Sequence, residues 1–549
     1  MHAIWKSLGK AKLQQLIGAK QLDELARMLP GLRKSEFEQS ELYSLDGLAQ
    51  IFDAFYGNQL LQQNDFRKSF FNTLPPALVD DSLSTLGEAP ASFSSFEQKI
   101  DILAQKGWKT RNNASKIASI LNIPEDALPE EKNETPIIVD IQVTNRPYKP
   151  LKDYQMTVFS EASERLHPEL ARFIVQMPTG SGKTRTAIEI ITHFLKEQIA
   201  PGGIVLWLAH SEELCEQAMA SFLDIWPHVA TKQLKAIKFW GEVPKIPNEF
   251  PENAFVVSSF QKMHSMVKSK SSSFDQLKDR VSLIIVDEAH KILAKTYKEV
   301  TERFISNKAR VIGLTATPGR SVKDKEQNLA LADFFFNELI EIHAPKKESV
   351  LSYLRGKKVL ASTEYDPLQT GLTYSLSTAQ KKYLEDFFDL PKDFLAQLGD
   401  DETRNVEIVK KLEQECLQNK RIIFFACSLA QSRFISALLR FMKIKSAHVD
   451  GSTPKRQRQS IINKFKSGEL AVLCNYEVLA TGFDAPQTDV VFIARPTSSI
   501  VLYSQMIGRG LRGPAIGGTE TCKIIDVKDN IRGFSNEDKV YRYFEGYYR

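Results

Sequence analysis

The sequence predicts an α/β fold class: two tandem domains, each a parallel sheet with flanking helices, preceded by a helical N-terminal domain. Three observations carry this expectation. Short aliphatic runs, RFIVQM, GGIVLWLAH, AFVVSS, SLIIVDEAH and ARVIGLTAT, alternate with helical stretches between Arg172 and Thr317. Runs apolar on both faces are what buried parallel strands look like, and the helical stretches are their crossovers. The pattern starts again at Arg421 with RIIFFACS, SAHVDG, AVLCNY, DVVFIARP and CKIIDV. Ahead of both, apolar residues recur every three or four positions, as in LQQLIGAKQLDELARML, the period of amphipathic helices.

A chain of 549 residues is too long for a single core, so several domains are expected. Residues 1–135 read as a helical accessory domain, broken at TLGEAPASFSSFEQ and closed by the Pro- and charge-dense linker PEDALPEEKNETP. Its stretch NASKIASILNIPEDAL reads as a helical hairpin packed on its neighbour in preference to a DNA-reading helix-turn-helix. Residues 136–345 form the first α/β domain and 421–549 the second. Between them, 346–420 is an inter-domain segment whose last part, DDETRNVEIVKKLEQECL, is a lead-in helix introduced by an Asp cap. A strand-separating wedge would be sought in this segment, around PLQTGLTYSL.

Composition excludes more than it identifies. With 72 basic against 67 acidic residues, the net charge of +5 is too small to name a partner. The five cysteines, Cys215, Cys416, Cys427, Cys474 and Cys522, never fall in a C-x-x-C spacing, which argues against a zinc site or a disulfide frame and for a reducing compartment. The start MHAIWKSLGKAKLQQL lacks the apolar run of a signal peptide, and no stretch approaches the ~20 apolar residues that span a bilayer. A cytoplasmic location with no membrane partner is expected.

The chemistry concentrates in RFIVQMPTGSGKTRTAIEI, a strand, a Gly-rich loop and a helix in the order that cradles phosphate. Backbone N–H groups around Thr179, Gly180, Ser181, Gly182 and Thr184 face an anion, Lys183 adds a point charge, and the Thr184 hydroxyl can ligate Mg²⁺. The loop departs from G-x-x-x-x-G-K-T at its first position, Met177. Farther on, SLIIVDEAHKI sets two carboxylates at the C-terminal edge of a strand, where open sheets bind ligands. Asp287 would hold Mg²⁺ through water, and Glu288 would orient or deprotonate the attacking water. His290 has no second histidine at i+4 and no cysteine partner, so a zinc reading is rejected.

From Leu151 to Val527 the chain resembles a superfamily 2 helicase of DEAD/DEAH type, with ATP and Mg²⁺ as the implied cofactors. LKDYQ offers Gln155 in the manner of an adenine-reading Q motif. MPTGSGKT resembles motif I, LAHSEELCEQ motif Ia, DEAH motif II and GLTATP motif III. In the second domain FFACS resembles motif IV, LATGFDAP motif V and QMIGRGLR motif VI. The resemblance implies two RecA-like domains that sandwich ATP. It makes Arg512 the arginine finger and Arg509 a second γ-phosphate contact. It also sets Gln505 near the attacking water and Asp484 near the ribose.

The same resemblance implies a nucleic-acid track over both domains. Ala209, His210, Ser259 and Gln261 in the first, with Ser428, Thr481 and Gly482 in the second, would bond phosphates without reading sequence. The basic cluster TPKRQRQ, Thr453 onward, reads as the solvated start of a helix and not as a docking patch. TAT in motif III, with TGFDAP and QMIGRGLR, is in the style of RadD-like and restriction-enzyme-type (type I/III) DNA helicases, so DNA is favoured over RNA. RadD-like proteins carry a cysteine-bearing C-terminal extension, whereas this sequence closes soon after CKIIDVKDN, and they lack the helical N-terminal region. The expected function is an ATP-dependent DNA helicase or translocase in DNA repair or in defence against foreign DNA. The alternatives are an RNA helicase, or an ATP-gated DNA clamp or sensor that recruits a protein partner through the N-terminal region.

Overall fold

The computed structural model describes residues 2–32, 39–57, 59–129, 138–141, 148–229, 234–241, 253–269, 272–319, 324–345, 348–387, 389–479, 487–497 and 499–529. Its fold is α/β, with two sheet domains and a helical N-terminal region.

In the first domain the described strands are β1 (Ile138–Ile141), β2 (Arg172–Gln176), β3 (Ile204–Ala209), β4 (Leu234–Phe239), β5 (Ala254–Ser259), β6 (Val281–Asp287), β7 (Arg310–Thr315) and β8 (Leu339–Glu341). They lie in the order β1-β4-β5-β3-β6-β7-β2-β8. Only β1 runs antiparallel to its neighbour; the remaining pairs are parallel. The central strands β3 and β5 are buried at every position, as a sheet covered by helices on both faces requires. This order brings the C-terminal ends of β3, β5, β6, β7 and β2 to one edge, where the functional loops emerge.

The second domain continues with β9 (Ser362–Tyr365), β10 (Leu368–Gln369), β11 (Ile422–Phe425), β12 (Ser446–Val449), β13 (Val472–Asn475), β14 (Val490–Ile493) and β15 (Thr521–Lys528). Its order is β10-β15-β14-β11-β13-β12, with β9 also on β15, and all these pairs are parallel. The stretch read as an inter-domain segment therefore supplies two edge strands to the second sheet. Its lead-in helix, Glu402–Cys416, begins as expected: the Asp401 side chain accepts from the Arg404 N–H. Beyond the short strand β10 in PLQTGLTYSL, the chain makes two helices, Thr378–Phe387 and Lys392–Asp400. Leu390, Phe394, Leu395 and Leu398 of this excursion pack on Cys427 at the end of β11.

The described residues before 129 are mainly helical, and one periodic run is interrupted. Gly18, at φ +94°, separates Lys10–Ile17 from Ala19–Leu32. Side-chain caps from Ser44, Ser95 and Thr110 start three further helices, each cap contributing about 1 kcal/mol. This region docks on the second domain. Helix Leu45–Tyr56 lies along Leu429–Phe441, and Ala19–Leu32 lies along Glu402–Cys416. A single apolar core runs from Trp5, Phe52, Phe70 and Leu103 into Ile435 and Leu438, and on to Ile422, Phe424, Val490 and Phe492 of the sheet. Polar contacts register the joint. Asp53 accepts from Trp5 Nε1 at 2.9 Å and pairs with Arg440, and Arg27 forks onto Glu402 at 2.6–3.2 Å.

Candidate nucleotide cleft and strand face

The cleft forms because β2 turns into its helix through two left-handed glycines, Gly180 at φ +85° and Gly182 at φ +89°. A Cβ on Gly182 would lie 2.4 Å from Gln155 Nε2, so the loop closes only without a side chain there. Gln155 is buried, accepts from the Lys152 N–H at 3.0 Å, and reaches the Ser181 carbonyl through Nε2 at 3.4 Å. Tyr154, which sequence reasoning passed over, donates its hydroxyl to the same carbonyl at 2.7 Å. Ser181 turns its own hydroxyl to Pro178 O at 2.7 Å. Lys183 opens the helix Lys183–His193.

β6 delivers the carboxylates. Lys183 Nζ stands 3.7 Å from Asp287 Oδ1 and 3.7 Å from Glu288 Oε1. Glu288 sits at φ +56°, a conformation that costs a non-glycine residue about 1–3 kcal/mol and collects at functional sites. Burial pushes the Asp287 carboxyl up to about 6, against the pull of Lys183. For Glu288 burial acts in the same upward direction, but Lys183, His290, His210 and Lys291 together outweigh it and hold the carboxyl below its usual range. His290 is kept neutral by burial, pushed down to about 3. Its Nδ1 lies 3.2 Å from Thr315 Oγ1 and 3.4 Å from Glu288 Oε2. Thr315 in turn accepts from the Thr317 N–H at 3.1 Å, so the carboxylate, His290 and the TAT turn form one connected unit.

The second domain closes the cleft. Arg509 and Arg512 line the same cavity of about 390 Å³ as Lys183, Thr184, Asp287 and Glu288. Arg512 is positioned by the inter-domain connection: Leu360 bridges it antiparallel, Ala361 N–H donates to Leu511 O at 2.8 Å, and Gly513 N–H donates to Val359 O at 2.8 Å. Gly508 is needed where the helix bearing Gln505 meets the loop, since a Cβ there would lie 2.5 Å from Thr179 Cγ2. Gln505 itself does not line the cavity, and its Nε2 is buried with no hydrogen-bond partner among the described residues. Arg185 lies 4.9 Å from the Tyr148 ring centre near the cavity mouth, a cation–π pair invisible at a sequence separation of 37 residues.

TPKRQRQ is a correction. Arg458 pairs with Glu213, and Lys455 pairs with Glu216. Both acids stand on the first domain's helix Glu212–Val229. The cluster is a docking patch between domains, reached because Pro454 starts the helix Lys455–Lys466 facing that helix. Lys357 likewise ties the connection to Asp153 beside Gln155.

The strand-contact candidates of the first domain share one edge. Ala209 and Ser259 are register partners at the ends of β3 and β5, and Gln261 Nε2 donates to the His210 carbonyl at 3.1 Å. Ala209 and Ser259 are buried, and the Ser259 hydroxyl already caps at the Lys262 N–H, 3.3 Å away. Their side chains are therefore closed to a strand, because the sheet ends are tucked beneath the helix that follows. His210 and Gln261 remain accessible. Ser428 caps the next helix at the Gln431 N–H, 3.0 Å away. Thr481, Gly482 and Asp484 lie outside the described residues.

A nucleoside triphosphate with Mg²⁺ fits this donor set. The glycine cradle leaves room for phosphate, and Thr184 and Asp287 offer one hydroxyl and one buried carboxylate. Among the described residues no cluster of three or more His, Cys, Asp or Glu could hold a metal alone, so the ion would arrive with phosphate oxygens as its other ligands.

Two sheet domains meeting at a phosphate loop, a carboxylate pair and two arginines define a protein of the P-loop nucleotide-binding class. Comparison with known proteins supplies the family. Residues 148–320 match the family described as "Type III restriction enzyme, res subunit", and residues 405–513 match "Helicase conserved C-terminal domain". The chain belongs to the superfamily 2 helicases. It is 27% identical over 404 residues to "Putative ATP-dependent helicase IRC3" of Saccharomyces cerevisiae, covering 71% of this chain and 53% of that protein. It is 22% identical over 350 residues to "ATP-dependent RNA helicase DBP3" of the same organism, covering 62% and 58%. The chain thus spans little more than half the length of these relatives. Among solved structures, the "ATP-dependent Type ISP restriction-modification enzyme LlaBIII bound to DNA" superposes with a TM-score of 0.50 at 16% identity. That match covers 73% of this chain and 30% of that one, a likeness of fold.

Proposed function

We propose that the chain is an ATP-hydrolysing translocase on nucleic acid, acting on DNA in preference to RNA, in DNA repair or in defence against foreign DNA. One observation carries the reading: Arg509 and Arg512 of one domain share a cavity with Lys183, Asp287 and Glu288 of the other. ATP would lie with its phosphates on the loop of Gly180 to Thr184 and its base toward Gln155. Mg²⁺, held by Thr184 and Asp287, would supply positive charge at the phosphoryl oxygens. Lys183 neutralises the terminal phosphates, and Glu288 orients the attacking water and takes its proton. Arg512 and Arg509 meet the charge that develops on the transferred group, a contribution worth about 10³-fold or more in rate. Because these arginines come from the second domain, turnover is linked to opening and closing of the cleft. His210, Gln261 and Ser428 carry the strand.

The preference for DNA rests on the restriction-enzyme family matched by the first domain and on the TAT, TGFDAP and QMIGRGLR motifs. ATP turnover without polymer, with single-stranded DNA, duplex DNA and single-stranded RNA, at one fixed salt, tests it. Stimulation by DNA alone is expected; stimulation by RNA alone reassigns the substrate. The N-terminal region's apolar attachment to the second domain favours a second reading, an ATP-gated clamp that presents this region to a protein partner. Stimulated turnover with no displacement of a paired strand would select it.

A further inference from the structure

We propose that Lys291 is a positioning residue that reports an occupied strand track to Glu288. The inference rests on the reading of the chain as a strand-stimulated ATPase. Lys291 ends the single helical turn that follows Glu288, and its N–H donates to the Glu288 carbonyl at 3.0 Å. Its side chain leaves the nucleotide cleft and ends on the strand face, where Nζ donates to His210 Nε2 at 2.8 Å.

That bond fixes the state of the histidine. An ammonium has no lone pair to offer, so Nε2 is the unprotonated nitrogen and Nδ1 carries the hydrogen. Burial holds the ring neutral, pushed down to about 4. Nδ1 is buried and has no partner among the described residues, which leaves an unspent donor just beneath the surface at the end of β3. Beside it the exposed Gln261 fixes the His210 carbonyl. A backbone phosphate that displaces the cover over this corner takes the Nδ1 hydrogen and adds a negative charge to Lys291's surroundings.

Lys291 also feels Glu288 and Asp287 through their charges. Without a strand its ammonium is bonded to His210 and still within electrostatic reach of the carboxylates. With a strand phosphate at His210, the ammonium is drawn toward the phosphate and away from Glu288. The carboxylate then loses a competing cation and is free to hold the attacking water. The link spans two loops that the sheet order makes neighbours: β3 and β6 pair directly.

Turnover with and without the stimulating polymer, together with polymer affinity by fluorescence anisotropy, tests this in Lys291→Met and Lys291→Arg. For Lys291→Met the ratio of stimulated to unstimulated kcat falls toward one, while ATP KM and polymer affinity stay within about twofold of wild type. Lys291→Arg, which keeps a cation and donors, recovers part of the ratio. A Lys291→Met enzyme stimulated as strongly as wild type overturns the inference. So does an equal loss of both rates, the mark of a structural role. A wild-type enzyme that no polymer stimulates would instead bring down the functional reading on which the inference stands.

Discussion

Arg512 is set by backbone pairing with Leu360 and by packing over Gly180, so its backbone and stem are in place before nucleotide arrives. Arg512→Ala should leave ATP affinity nearly intact and cut stimulated turnover by about 10³-fold, read by nucleotide binding alongside steady-state rates. Equal turnover by the variant would remove Arg512 from the reaction. A second residue-scale prediction concerns Asp450, buried among His448 Nε2 at 2.8 Å, Arg433 Nη2 at 2.7 Å and Ser452 Oγ at 2.6 Å. Burial opposes its charge, but the hydrogen bonds from His448 and Ser452 and the Arg433 cation outweigh it and hold the carboxyl far below the usual range. A depressed carboxylate contributes stability that is complete above its unfolded pKa, about 4, and is lost as pH falls toward the folded value. Asp450→Asn should therefore lower the melting temperature by an amount constant from about pH 5 to 8, with the gap closing in acid. A gap that instead tracked histidine titration would point to His448. At this scale the sequence was legible where spacing is local: the loop, the DEAH turn and the arginine pair. The link from His210 to Lys291 was not, because 81 residues separate its ends and only the strand order joins them.

At the scale of elements, helix Lys455–Lys466 shows why charge runs mislead. Its basic residues match a solvated face in one dimension, yet the opposing acids of helix Glu212–Val229 make it an inter-domain joint. Partly exposed pairs of this kind are worth roughly 0.2–1 kcal/mol each. Arg458→Glu should raise ATP KM by about threefold, with recovery on adding Glu213→Arg and a smaller difference at high salt. No recovery in the double variant would mean that the pair does not hold the domains together. The edge strands β9 and β10 were illegible for a different reason. Four and two residues long, and mostly exposed or half-exposed, they have too little apolar content to show a period of two. β3 and β6, six and seven residues of nearly continuous burial, stood out at once.

For the whole molecule, amphipathic periodicity announced that the N-terminal helices bury a face but could not say against what. The structure gives the answer in a core shared with the second sheet, so the two should lose structure together. Phe52 is fully buried, 5.4 Å edge-on from Trp5 and 6.0 Å from Phe66. Phe52→Ala should cost about 3–5 kcal/mol. By hydrogen exchange it should expose amides of β11 and β14 while leaving β6 protected. Unchanged exchange in β11 and β14 would show that the N-terminal region unfolds independently.

The same shared core makes the N-terminal helices a lever. They are fastened to the half of the molecule that carries Arg509 and Arg512, and any rotation that parts those arginines from Lys183 swings them through the same angle. The distance travelled grows with the distance from the hinge, so cargo held at the outer surface of this arm would move farther than the catalytic groups do. The phosphate chemistry in the cleft would then be paid out as mechanical stroke at a remote attachment point.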